Sequence, residues 1–296
     1  MHSLSPDSSP EIFRIDSIQH PDVEPYRTLK RPLEHHKAGF FVAEGEKVVQ
    51  RLLKSSLRIR SLLLTEQWFG VYRDLLQSRA ERPKIYLADK SLMEGIVGFQ
   101  LHKGIMAVAD IPPDVTLEQA AAEAQRPYLF VAVDGIMNSE NLGVIIRNCA
   151  SFGVDALVVG ETSCDPYLRR SVRNSMGNIF TLPIVRTSRI ADELQKMRRL
   201  LGVSMIAAHP RETSNRIEGV DFNTDCCLVF GGEGFGISEP VLRVCDSTAV
   251  IPMRQGVDSI NVASSSAVIL YEARRQRDAA KSSPDAIMIA SSKAPV

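Results

Sequence analysis

Apolar positions along this chain switch repeatedly between a period near two and a period near three and a half. Residues 40–42 are a short apolar run, and 44–54 read as a helix with Val48, Leu52 and Leu53 on one face. Residues 59–64, 84–88 and 105–109 are strand-like and 68–77 helical, which predicts a small α/β domain over 11–110. A break follows at 111–127, with prolines at both ends and an Ala/Glu stretch between them, and it reads as an interdomain linker. Beyond it the alternation strengthens. Tyr128-Leu-Phe-Val-Ala-Val133 is continuously apolar, as a strand buried on both faces must be. A helix from Asn141 puts Leu142, Ile145, Ile146 and Cys149 on one stripe. Strands are predicted at 156–159, 204–208, 227–230 and 249–251, and helices at 190–201, 240–244 and 262–275. Strands separated by helices need crossovers, so the sheet of this second domain, 128–277, is largely parallel. No internal repeat interrupts the pattern. The Ser/Pro-rich segment 1–10 and the Ala/Ser/Lys-rich tail 278–296 are expected to be disordered.

A chain of 296 residues with 44% hydrophobic positions suits two modest cores, in keeping with the two domains. Its formal charge is zero, so no global field advertises a polyanionic partner. The charge is nevertheless uneven: nine basic residues stand against three acidic ones between 26 and 60. The five cysteines, Cys149, Cys164, Cys226, Cys227 and Cys245, have no metal-ligand spacing and read as reduced thiols of a cytoplasmic protein. No apolar leader core and no run of 18 apolar residues is present, so neither export nor a membrane span is expected.

The candidate chemistry sits at three predicted strand-to-helix junctions. Leu228-Val-Phe-Gly-Gly-Glu-Gly-Phe-Gly-Ile237 sets one carboxylate among four glycines, where backbone must approach a ligand closely. It is neither a dinucleotide fingerprint nor a P-loop. The third glycine position falls on Ile237 or Glu239, and Ile237-Ser238 stands where a P-loop needs Lys-Ser/Thr. Glu233 would also repel a phosphate, so a cationic or hydroxyl-bearing ligand suits the loop better; a tight turn with an exposed Glu is the plainer alternative. Asn141 and Arg147 mark the second junction, where Asn141 could cap the helix and Arg147 could be a partly buried salt-bridge partner. Ile251-Pro-Met253 with Ser259-Ile-Asn-Val262 marks the third, and Ser259 or Asn261 could cap the last helix. In a parallel sheet such junctions gather on one edge, where ligands bind.

Together, Asn141-x-Gly143-x-x-x-Arg147, Gly231-x-Glu233-Gly234-x-Gly236 and Ile251-Pro-Met253 with Ser259-Ile-Asn261-Val resemble the three motifs of SpoU/TrmH-type RNA 2′-O-ribose methyltransferases of the SPOUT superfamily. The resemblance covers about 128–277. Inside it, Phe152-Gly153 follows the first motif, and Val172-Arg-Asn-Ser-Met-Gly177 is similar to the family's Arg-x-Ser-x-Gly stretch. Residues 27–53 more loosely resemble the family's accessory substrate-binding domain. One departure is Asn138-Ser-Glu140, where the family often has Asp-Pro; it is expected to alter the loop and not the chemistry.

The resemblance implies an α/β SPOUT domain with a deep trefoil knot, S-adenosylmethionine as donor, a ribose 2′-hydroxyl in tRNA or rRNA as acceptor, and no metal. It implies Arg147 as the prime catalytic residue, as base or phosphate clamp, with Glu233, Asn141, Ser259 and Asn261 orienting the reactants. It implies donor contacts from Gly231, Gly232, Gly234, Ile251, Met253 and Ile260. An RNA-binding protein of this fold without catalysis and a base methyltransferase are the rival readings. A homodimer is expected, with Val262, Ala263, Ser266, Ala267, Leu270 and Ala273 as a small-residue face for helix approach. Arg27, Lys30, Arg31 and Lys37, with Arg169, Arg170 and Arg173, are the expected phosphate contacts with structured RNA. Aromatic residues are only 6% and do not cluster, so recognition is expected to rest on RNA shape and backbone.

Overall fold

The computed structural model describes residues 11–209, 215–256 and 259–282. The expected disordered segments, 1–10 and all but the start of 278–296, lie outside the described residues. Contacts divide the chain into two units. The first takes the described residues up to Pro113 together with Pro166–Thr181, and the second takes Asp114–Asp165 with the chain from Leu182 onward.

The first unit holds a mixed five-stranded sheet in the order β1 (Ile12–Arg14), β4 (Lys84–Leu87), β3 (Ile59–Leu64), β5 (Ile105–Asp110) and β2 (Phe40–Glu44). β1 is an addition to the sequence reading: a short exposed edge strand that pairs with β4 without apolar alternation. The helices α1 (Glu24–Arg27), α2 (Pro32–Lys37), α3 (Glu46–Lys54), α4 (Glu66–Gln77) and α5 (Lys90–Val97) complete it. α5 escapes the sequence pattern because it is short, yet it buries Met93, Ile96 and Val97 in a core with Tyr26, Val42 and Tyr86.

Residues 166–181 contain α8 (Arg169–Asn174) and belong to this unit, although they fall inside the span expected for the second domain. The cause is specific. Glu44, 6% exposed at the end of β2, is paired with both Arg169 and Arg173, the latter at 2.8 Å. Phe41 packs its ring against Tyr167 and Phe180, and Arg51 donates to Met176 O at 2.6 Å and Asn178 Oδ1 at 2.9 Å. A buried carboxylate requires paired cations, and the arginines that supply them lie 125 and 129 positions further along the chain.

The second unit is an all-parallel seven-stranded sheet. Its order is β10 (Asn215–Arg216), β12 (Ser247–Val250), β9 (Ser204–Ala208), β11 (Cys226–Gly231), β6 (Leu129–Asp134), β7 (Ala156–Val159) and β8 (Ile184–Arg186). Side chains alternate across it. Phe130, Ala132, Val158, Met205 and Val229 face a core closed by α6 (Leu117–Glu123), α9 (Ile190–Leu201) and α10 (Glu239–Val244). Val131, Val133, Leu157, Leu228 and Phe230 are buried on the other face, which carries α7 (Ser139–Phe152) and α11 (Val262–Lys281). Removing both faces from water is what demands unbroken apolar strands; each large side chain contributes ~1.5–3 kcal/mol.

Two boundaries and one helix face differ from the sequence reading. The expected linker contains α6, held by a capping box between Thr116 and Gln119 and burying Leu117, Ala120 and Ala121. α11 runs on to Lys281, so Asp278 is helical and accepts from Arg274 at 2.8 Å. The small-residue face of α11 is also used within the chain: Val262, Ala263, Ser266, Leu270 and Ala273 are buried, and Asn148 of α7 donates to Ala263 O and Ser266 Oγ, each at 2.9 Å. Small residues let α7 approach closely, so that face is not open to a second copy.

Candidate active site

β6 and β11 lie side by side, and their carboxyl ends feed two of the three junctions. Asp134, 3% exposed, closes β6 and organises the edge. Its Oδ2 accepts from Ser238 N at 2.7 Å, its Oδ1 from Thr162 Oγ1 at 3.1 Å, and its carbonyl from Gly232 N at 2.9 Å. Sequence reading missed this residue; the signal is a charge ending an otherwise unbroken apolar strand.

The loop 231–236 then turns back on itself, with Gly236 N donating to Gly232 O at 2.9 Å. Its first two glycines answer to the protein's own backbone. A Cβ on Gly231 would sit 2.2 Å from the Gly236 carbonyl carbon, and one on Gly232 would sit 2.2 Å from Gly135 O. A Cβ on Gly234 would meet nothing within 4 Å. Close approach to a ligand is therefore a reading left open at Gly234, and at Gly236, where a Cβ would meet only His209 Nδ1 at 4.0 Å.

Asn138 is the N-cap of α7 and accepts from Glu140 N at 2.8 Å, so Asn141 is not the cap that it could have been. Relieved of that task, Asn141 donates to Glu233 Oε1 at 2.8 Å. Asn261 caps α11, accepting from Ala263 N at 2.9 Å and Ser264 N at 3.3 Å. That duty fixes which end of its amide points outward. The free Nδ2 donates to Glu233 Oε1 at 2.7 Å and Asn141 Oδ1 at 3.0 Å. Capping and site-building are thus both true of Asn261. Three side chains from three junctions meet on one carboxylate.

Beside this triad lies a cavity of about 630 Å³. Gly231, Gly232, Gly234, Ile251, Met253 and Ile260 all line it, as do Glu233, Ser259 and Asn261. Phe230, Ile237, Val250 and Ile269 supply apolar wall, and His209 adds a ring that sequence reading did not single out. The volume falls in the range of small-ligand sites, and the position obeys the rule for parallel sheets. Among the described residues no group of His, Cys, Asp and Glu could hold a metal ion.

Arg147 stands apart. It is exposed on α7, does not line the cavity, and its guanidinium has no hydrogen-bond or ion-pair partner among the described residues. The expected phosphate contacts all fall in the first unit. Lys30 and Lys37 are exposed, Arg27 donates to Ile18 O at 2.8 Å, and Arg31 pairs with Glu34 at 3.5 Å. Arg169 and Arg173 are engaged by Glu44, though the Arg173 side chain stays about half exposed.

Comparison with known proteins bears directly on what a parallel sheet with such a triad and cavity belongs to. The SpoU rRNA Methylase family matches residues 128–271. An uncharacterised tRNA/rRNA methyltransferase of Mycobacterium tuberculosis is 31% identical over 90% of this chain and 94% of its own. The 23S rRNA (uridine(2479)-2′-O)-methyltransferase of Streptomyces viridochromogenes is 29% identical over 81% of this chain and 84% of its own. The crystal structure of the SpoU methyltransferase AviRb from that organism, in complex with AdoMet, superposes with a TM-score of 0.76 at 26% identity, covering 88% of this chain and 100% of that one. The chain belongs to the SpoU methylase family and is an RNA methyltransferase.

Proposed function

We propose that the cavity holds S-adenosylmethionine and that the acceptor is a ribose 2′-hydroxyl of structured RNA. The observation that carries this reading is the triad of Asn141, Glu233 and Asn261 at the edge of a largely apolar cavity. The residues fit the donor. Apolar walls suit an adenine, open backbone at Gly234 allows close approach, and a carboxylate tolerates a sulfonium where it would repel a phosphate. When bound, the donor supplies an electrophilic methyl group. The chain's own residues do the rest: Gly234, Ile251, Met253 and Ile260 clasp the donor, and Asn141, Glu233, Ser259 and Asn261 hold the acceptor ribose against it. Arg147 engages the acceptor nucleotide. Holding the two reactants in line supplies most of what transfer to oxygen needs.

Arg27, Lys30, Arg31, Lys37, Arg169, Arg170 and Arg173 make the first unit the RNA-binding part, which works in the cytoplasm. Deleting residues 1–110 should preserve donor binding and abolish modification; a truncated chain that modifies RNA as well as the whole removes that role. Methylated nucleosides mapped in total RNA from cells with and without the gene test the acceptor. Loss of a ribose methyl supports the proposal, and loss of base methyls alone refutes it. No loss, with RNA still bound, would leave the non-catalytic reading.

We also propose a homodimer. Arg147 lies outside the cavity, and α11 leaves Val268 and Tyr271 exposed on the side away from its buried face. Light scattering should give twice 32.7 kDa at micromolar concentration, and a monomer would refute it. The trefoil knot of the resemblance is proposed for the segment after β12. It leaves the sheet beyond β9 yet returns between the β6 and β11 junctions to place Asn261. Pulling on both termini should leave a contour shorter than the full chain; full extension would exclude the knot.

A further inference from the structure

The ring of Phe235 is fully exposed at the tip of loop 231–236, yet it lines the cavity. No described residue covers it, and a Cβ on Gly234 beside it would meet nothing within 4 Å. Scattered apolar side chains on a surface need no explanation. This one is not scattered. Met137, 74% exposed, belongs to the β6–α7 loop whose Gly135 O lies against Gly232, and Ile260, 39% exposed, lines the cavity from the third junction. Each of the three junctions therefore exposes one large apolar side chain: Phe235 and Ile260 line the cavity, and Met137 stands on the loop packed against Gly232.

The occupant follows from chemistry and rests on the proposed function. A methyl acceptor must come to the mouth of the cavity. The apolar surface of RNA is the faces of its bases, whereas ribose and phosphate are polar. Glu233, next in the loop to Gly234, discourages a phosphate from this spot. We propose that the Phe235 ring stacks on a base of the acceptor RNA, flanked by Met137 and Ile260, and so holds the ribose at the cavity. Stacking on an aromatic ring accepts any base. It therefore grips the nucleotide without choosing it, and selection is left to the rest of the RNA surface.

The test uses the full chain, labelled S-adenosylmethionine, and total RNA from a strain lacking the gene. Phe235→Ala should raise the KM for RNA by roughly 5- to 150-fold, the range that one stacked base supplies. Donor affinity by calorimetry, melting temperature and mass by light scattering should stay at the wild-type values, and Phe235→Tyr should restore the KM. A wild-type KM in Phe235→Ala overturns the proposal. So does a matching loss of donor affinity, which would put the ring in the donor site, or a change of mass, which would put it between two copies. If the unaltered chain methylates nothing, the functional reading itself fails, an outcome distinct from all of these.

Discussion

Asn141 and Asn261, 120 positions apart, share a 3.0 Å hydrogen bond while both donate to the same Glu233 oxygen. The link is polarised by the helix cap: because the Asn261 oxygen is occupied by two α11 amides, only its NH2 can face the carboxylate.

That polarity predicts different outcomes for two substitutions. Asn261→Ala removes cap and donors together and should lower stability by about 1 kcal/mol. Asn261→Asp keeps the cap but loses both donors and sets a second carboxylate against Glu233. The KM for acceptor RNA should therefore rise about tenfold or more, with a smaller loss of stability. Steady-state kinetics with RNA decides, and a wild-type KM in the Asp variant would show the triad to be incidental.

Gly232 and Gly234 should separate under the same change. Gly232→Ala drives a methyl group into Gly135 O, a backbone atom that cannot step aside, and should cost ~3 kcal/mol or more along with donor binding. Gly234→Ala has open space and should leave unfolding within ~0.5 kcal/mol of wild type. Any loss of donor affinity at Gly234 then reports ligand contact. Equal stability losses at the two positions would contradict the loop geometry.

Arg147→Lys should leave the melting temperature unchanged, because Arg147 is exposed and without a described partner. Turnover should fall at least a hundredfold if a guanidinium fork acts on the acceptor, since an ammonium keeps the charge and loses the bidentate geometry. Full turnover in the Lys variant would remove Arg147 from catalysis.

Burial holds three thiols protonated. Cys226 is pushed up to about 11 even with Arg277 alongside, and Cys149 and Cys227 are raised further by complete burial. A raised folded value means full stability below the unfolded thiol range near ~8.5 and a loss as pH climbs beyond it. Urea unfolding should give a lower stability at pH 9.5 than at 7.5. Iodoacetamide at pH 8 should reach these three cysteines only after denaturation; rapid labelling of native protein would refute their burial.

Much of this protein can be read from its sequence because local physics decided it. The unbroken run 128–133 announced a strand covered on both faces, and all eight residues from Gly231 to Ile260 named for the site line the cavity at the strand ends. What local pattern does not carry is which distant side chains meet. Whether Asn141 caps or reaches Glu233 depended on Asn138 taking the cap and on Asn261 arriving from 120 positions away. Whether Arg169 and Arg173 were free depended on Glu44, a carboxylate at the end of a strand in the other half of the sequence. The small stripe of α11 fits a partner helix equally well from the same chain or another, and only packing against α7 chose. Periodicity is a property of neighbours along the chain, whereas pairing of charges and closure of a site are settled by contacts that form once the sheet has brought remote junctions to one edge.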